Sequence, residues 1–287
     1  MNIASDPEWE MEPVCQTLLT QRAERRKLPS YTPSSPGQIA GALATFFAQR
    51  LPGAKVGPVA SMVGGASKEQ FVFSLDNAGA ATGRYVMRKD PLEGITETGR
   101  RREFEVLNIV QGVVPAPRAV WIDDDGASFG RPAVIMSFAP GVTKPSVAAQ
   151  KVSGLGTILG ERLRAKLRGQ FLDNLVGLHA IDWRKADMPS FATPDADPKQ
   201  AARWSLNFWR QLWRIDRLEP LPIMSYAEQW MDDNLPVCDE LVLTHGDYRT
   251  GNYLIHNGRL AGVLDWEFPA FGNPLEDIGW LCARCWR

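Results

Sequence analysis

Apolar residues recur at helical spacing in four stretches. In residues 38–51, Ile39, Leu43, Phe46 and Phe47 fall on one face, and Pro52-Gly53 stops the run. Residues 99–111 point Phe104, Leu107 and Val110 inward and turn Arg100, Arg101 and Arg102 partly to solvent. Residues 155–180 carry a longer stripe through Leu155, Leu159, Leu163, Leu167, Phe171, Leu175 and Leu178, the mark of a core helix. Residues 201–215 hold Trp204, Phe208, Trp209, Leu212 and Trp213; aromatic residues at that spacing usually pack. Ahead of these, residues 1–36 are polar, with one short helix expected over 14–26 and Pro29, Pro33 and Pro36 ending it. That segment reads as an irregular N-terminal extension.

Short β-prone runs fill the chain from Lys55 to about residue 138 and return near the carboxyl end, at 241–244, 253–256 and 259–264. Asn257-Gly258 lies between the last two runs. Both central positions of a type I′ turn need positive φ, so this dipeptide predicts a hairpin. With a two-residue turn, His256 faces Arg259 and Asn252 faces Val263. Strand side chains alternate, so Asp265 lies on Asn252's side one diagonal step away, about 7–8 Å. An amide oxygen and a carboxylate at that separation can share a divalent ion, and hard oxygen donors completed by phosphate and water suit Mg²⁺. Asp247, five residues before Asn252 on the loop after 241–244, is placed to accept a proton from a hydroxyl.

Charge and composition narrow the field. Thirty-two basic residues against thirty-three acidic give a net charge of −1, which offers no bulk attraction for nucleic acid or an anionic membrane. No apolar run is long enough to span a bilayer, and the N-terminus lacks the charged-then-apolar order of a signal peptide, so a cytoplasmic location is expected. Four cysteines fit a reducing compartment. Cys282 and Cys285 form a C-x-x-C with no second ligand pair at zinc spacing, and read as structural thiols. No G-x-x-x-x-G-K-[ST] is present, which disfavours a P-loop nucleotidase.

The ordered series H-G-D at 245–247, Asn252, the N-G hairpin, D-W-E at 265–267 and P-L-E-D-I-G at 274–279 resembles the aminoglycoside phosphotransferase family. Its members are small-molecule kinases of protein-kinase-like fold, with choline-kinase-like and acyl-CoA-associated relatives. The resemblance implies that Asp247 is the catalytic aspartate, that Asn252 and Asp265 are the metal ligands, and that Asp277 is a structural aspartate. His245 would brace the loop. Gly64, Gly65 and Ser67 match the nucleotide-covering loop, whose glycines let backbone N–H groups approach phosphate. Arg88 falls where the family commonly has a phosphate-binding lysine, with Lys89 as the second choice; a guanidinium can still clamp phosphate. Glu103 matches the helix glutamate that pairs with that cation. Backbone groups around Met136, Ser137 and Phe138 would meet an adenine edge. The sequence L-V-G-L-H-A-I-D-W also recurs in the family, and His179 within it reads as a packed histidine.

The expected fold is α+β and two-lobed: the extension 1–36, a nucleotide-binding lobe over 37–141 built on a small antiparallel sheet with one helix, and a mainly helical lobe over 142–287. The expected function is Mg²⁺-dependent transfer of the γ-phosphate of ATP or GTP to a hydroxyl of a small molecule. No dense acidic patch follows Gly141, so a polycationic antibiotic is not implied. Trp204 and Trp213 are the aromatic residues expected beside a partly apolar acceptor. The alternative is a non-catalytic nucleotide-binding regulatory protein of the same fold, suggested by relatives that continue with further helices past W-L-C-A-R-C-W-R. A protein kinase is disfavoured because no A-P-E-like segment follows D-W-E.

Overall fold

The computed structural model describes residues 9–62, 68–92, 94, 98–143, 159–195 and 197–283. The amino-terminal half is a sheet whose spine runs β1 (Lys55–Val56), β3 (Glu69–Asp76), β4 (Gly83–Lys89), β6 (Ala133–Ser137) and β5 (Ala119–Asp123), with β2 (Ala60–Ser61) also paired to β3. Every pairing is antiparallel. Strand alternation sends successive residues into different cores. In β6, Ala133 and Ile135 enter a cluster with Phe71, Phe73, Met87 and the inner face of α2 (Pro36–Arg50). Val134 and Met136 enter the opposite cluster, with Val106 and Leu107 of α3 (Arg100–Ile109) and Val110 at its C-cap. The sheet therefore has a helix on each face, α2 outside and α3 inside, at the two helical stretches read over 38–51 and 99–111.

Helix α2 begins where the sequence demands it. The Ser35 hydroxyl oxygen accepts from the Gln38 N–H, and Gln38 Oε1 accepts from the Ser35 N–H, with Pro36 at the first helical position. Helix α3 differs from expectation on its polar side. Arg101 is exposed, but Arg100 and Arg102 are buried among acceptors from other segments.

The carboxyl-terminal half contains α4 (Glu161–His179), α5 (Gln200–Asp216), α6 (Pro222–Asp233) and α7 (Pro274–Cys282), with two small sheets. One is the predicted hairpin, β8 (Tyr253–His256) and β9 (Arg259–Val263); the other pairs β7 (Val242–Thr244) with β10 (Ala270–Gly272). Leu167, Phe171, Leu175 and Leu178 of α4 pack beneath Leu243, Tyr248, Tyr253 and Trp266, so the longest apolar stripe forms the floor under the hairpin. Among the described residues no helix is long and apolar enough to cross a membrane.

Within the stretch expected to be irregular, α1 (Pro13–Arg25) docks on α5. Met11 and Leu19 pack with Phe208 and Leu212. Arg22 makes a two-point bond to Asp216, at 2.9 and 3.0 Å. The Trp9 ring lies under Arg214, 3.9 Å from the centroid. The anchoring residues are too widely spaced to register as an apolar stripe.

Candidate active site

The loop after β7 is held by one carboxylate. Asp277, fully buried in the first turn of α7, accepts the His245 N–H at 2.9 Å on one oxygen and the Gly246 N–H at 2.9 Å on the other. His179, at the end of α4, bonds the same carboxylate at 2.9 Å, so it is an anchor of the loop and not only a packed ring. Gly246 has φ of 78°, and a Cβ there would come within 2.3 Å of the Phe268 carbonyl, so only glycine fits.

His245 is also fully buried. Its Nδ1 accepts the Asp247 N–H at 3.2 Å, so its Nε2 carries the proton and donates to the Leu264 carbonyl at 3.0 Å. Burial holds its pKa below the usual histidine range, which keeps the ring neutral despite nearby Asp277 and Asp247. Trp266 covers it, with ring centroids 4.4 Å apart. The neutral ring spans the loop and the strand end, which is a bracing role.

Two neighbours fix the carboxylate of Asp247. Arg249 Nε donates to one oxygen at 2.8 Å and Asn252 Nδ2 to the other at 2.7 Å. Burial raises its pKa, and the Arg249 cation and the Asn252 amide oppose the rise. Asn252 Nδ2 also donates to the Asp247 carbonyl at 3.0 Å. Both acceptors are oxygens without protons, so the amide nitrogen must face them and Oδ1 must turn away.

The hairpin turn has φ of 51° at Asn257 and 69° at Gly258, as a type I′ turn requires, and His256 faces Arg259. Beyond that pair the expected register fails. Ile255 pairs with Leu260 and Leu254 with Gly262, so Ala261 is an extra residue, a β-bulge. Tyr253, not Asn252, therefore faces Val263, and Asn252 receives the Leu264 N–H at 2.8 Å. Asp265 reaches the site by a backbone turn instead of strand alternation. Its φ of 67° is a left-handed conformation that costs a non-glycine residue roughly 1 kcal/mol.

Arg88 closes the other side. It projects from the inner face of β4, opposite to Lys89. Its Nη1 pairs with Glu103, and its Nη2 meets Asp265 at 2.9 Å and Glu267 at 2.6 Å. Arg100 completes Glu103's second oxygen. Lys89, on the outer face, bonds Ser34 at 2.6 Å, Tyr31 at 3.0 Å and Glu69 at 3.3 Å. Geometry thus separates the two cations that the sequence left as alternatives: Arg88 is beside Asp265 and Lys89 is not.

Asp247 touches Asn252 directly, whereas Asp265 follows Leu264, whose N–H donates to the Asn252 carbonyl, and pairs with Arg88. Among the described residues no three His, Cys, Asp or Glu side chains form a ready metal cage. An amide oxygen turned outward and a partly exposed carboxylate still suit a hard cation that keeps water and phosphate as further ligands. Gly64, Gly65 and Ser67 lie outside the described residues. In the connector after β6, the Ser137 N–H donates to Arg118 O at 2.9 Å and the Phe138 N–H to Arg84 O at 3.0 Å. Those two donors are therefore engaged within the sheet. Glu267 and Arg249 carried no assignment from sequence, although both sit inside the motifs; a charged residue within two positions of each key aspartate was the available signal.

A cavity of about 100 Å³ lies beside this cluster, lined by α1, α5, α7 and residues 267–272. Trp204 and Trp209 line it, while Trp213 on the same helix does not.

The family model for phosphotransferase enzymes (APH) matches residues 60–287. Acyl-CoA dehydrogenase family member 10 of Mus musculus is 25% identical over 205 residues, 69% of this chain and 18% of that protein. Two other curated matches, family member 11 from Rattus norvegicus and from Mus musculus, each align over 25% of their length, so this chain spans a quarter or less of these relatives. Among solved structures, aminoglycoside phosphotransferase APH(4)-Ia in ternary complex with ADP and hygromycin B superposes with TM-score 0.58 at 16% identity, over 83% of this chain and 75% of that one. A macrolide 2′-phosphotransferase type I gives TM-score 0.56 at 19% identity, over 88% and 77%. With the family model covering four-fifths of its length, the chain belongs to the phosphotransferase enzyme family.

Proposed function

We propose that the protein transfers the γ-phosphate of ATP or GTP to a hydroxyl of a small molecule, with Mg²⁺ held by Asn252 and Asp265. One observation carries this reading. Asp247, fixed by two donors, stands on the same short loop-hairpin unit as Asn252 and Asp265, and Arg88 ties that unit to Glu103 on the sheet side. In this reading Asp247 accepts the hydroxyl proton and orients the attacking oxygen. Arg88, ordered by Glu103, faces the phosphates. Asn252 and Asp265 supply hard oxygens, and the bound cation would neutralise charge on the transferring phosphate. Such a site works chiefly by positioning and charge neutralisation.

Nucleotide complexes of fold neighbours, with ADP and with AMP-PNP, support the use of a nucleotide donor. The test is Mg²⁺-dependent phosphate transfer from ATP and from GTP across a panel of hydroxylated metabolites. Asp265→Ala should abolish the part of nucleotide binding that EDTA also removes. Nucleotide binding by Asp265→Ala that still responds fully to Mg²⁺ would overturn the metal assignment.

A further inference from the structure

The cavity beside Asp247 has a definite chemistry. Gly246, one residue before Asp247, and Glu267, bonded to Arg88, form part of its inner wall. Trp204, Trp209 and Phe268 supply apolar surface. Its three acidic walls are already committed. Glu12 is paired with Arg102 at 2.7 Å and receives the Ala192 N–H at 2.8 Å. Glu267 holds Arg88 at 2.6 Å. Burial and the neighbouring Asp277 push the Glu276 carboxyl up to about 7, so at neutral pH it is only partly ionised, and Ser205 bonds it. A polycationic ligand would find no carboxylate here that is both fully charged and uncommitted.

We propose that this cavity receives the acceptor and that the acceptor is an uncharged alcohol whose hydroxyl is carried by a compact apolar body such as a benzyl group. The assignment rests on the phosphotransferase reading of Asp247. The size limits the occupant: an apolar protein cavity of about 150 Å³ takes up benzene, so one of about 100 Å³ that opens at its mouth holds at most a single ring or a short branched chain. Apolar walls with a few polar groups at one end are the usual make-up of a small-molecule site. The N-terminal segment is then part of the acceptor site, because α1 closes one wall through Cys15 and Leu18.

The experiment measures binding of benzyl alcohol by broadening of its ring-proton resonances, with kanamycin as the polycationic comparison and no nucleotide present. Wild-type protein should bind benzyl alcohol saturably and kanamycin at least tenfold more weakly. Ser205→Phe, which fills the cavity, should weaken benzyl alcohol binding at least tenfold, as should the milder Trp204→Ala; far-UV circular dichroism confirms that each variant is folded. Tighter binding of kanamycin, no saturable binding of benzyl alcohol, or binding unchanged in both variants would overturn the proposal. Nucleotide turnover is scored separately. Transfer to other alcohols without benzyl alcohol binding would refute the cavity assignment and leave the kinase reading standing. Benzyl alcohol binding without any turnover would refute the acceptor role and leave a bare apolar site.

Discussion

Arg88 and Lys89 are consecutive residues on one strand, both buried and both near acids, yet they belong to different parts of the molecule. Lys89 meets one carboxylate, Glu69, with two hydroxyl groups from the turn before α2. All its partners belong to the first ninety residues. Arg88 meets three carboxylates from two segments, and two of them, Asp265 and Glu267, come from beyond the hairpin. Burial and charge alone do not tell a structural cation from one that serves a site. The origin of the partners does: Lys89 fastens the outer face of the sheet to the segment before α2, whereas Arg88 holds the sheet to the segment carrying Asp265 and Glu267.

The largest expected effect comes from removing the inner cation. Arg88→Ala takes a buried counter-charge from Glu267 and leaves Glu103 with Arg100 alone, and breaking a buried pair from one side costs about 3–5 kcal/mol. Melting temperature should fall by roughly 10 °C and nucleotide affinity should be lost. Lys89→Ala should lower the melting temperature by a few degrees with nucleotide affinity intact. Equal losses of affinity in the two variants would erase the distinction between the faces.

The next effect sharpens the inner side. Arg249 opposes the burial that raises the Asp247 pKa. In Arg249→Ala the Asp247 pKa should rise, so the acidic limb of the kcat profile should move to higher pH, with a smaller change at alkaline pH. A uniform drop without displacement of the limb would make Arg249 a packing residue only.

The smallest effect concerns stability. Glu276 has a folded pKa of about 7 against an ordinary value of 4.5. The folded state therefore holds an extra proton between these values, and stability falls as pH rises from 4.5 through 7. Because the side chain is only partly buried by exposed surface, the change is small, on the order of 1 kcal/mol. Glu276→Gln should flatten the dependence of melting temperature on pH between 5 and 8. A slope unchanged from wild type would assign it to other groups.

Legibility in the sequence followed the range of the interaction. The hairpin turn and the inner faces of α2 and α4 depend on neighbours within a few residues, so spacing and turn chemistry revealed them. The bulge at Ala261 did not show, because an extra residue in one strand leaves alternation ambiguous until the partner strand is seen. Arg100 and Arg102 looked solvated, because their partners, Asp90, Glu12 and the Pro269 carbonyl, come from other parts of the chain. The docking of α1 was hidden for the same reason: Trp9, Met11 and Arg22 gain their meaning only against α5. Glu267 stood in view beside Asp265, but only the fold brings Arg88 to it.

The most direct measurement is phosphate transfer by Asp247→Asn, compared with its nucleotide binding, once an acceptor turned over by the wild-type protein is in hand. The asparagine retains the shape of the side chain but cannot take the hydroxyl proton. The predicted result is a loss of turnover of about 10²–10⁴-fold with Mg²⁺-dependent nucleotide affinity retained. Turnover near the wild-type rate would contradict the role given to Asp247 and, with it, the assignment of this loop as the catalytic centre.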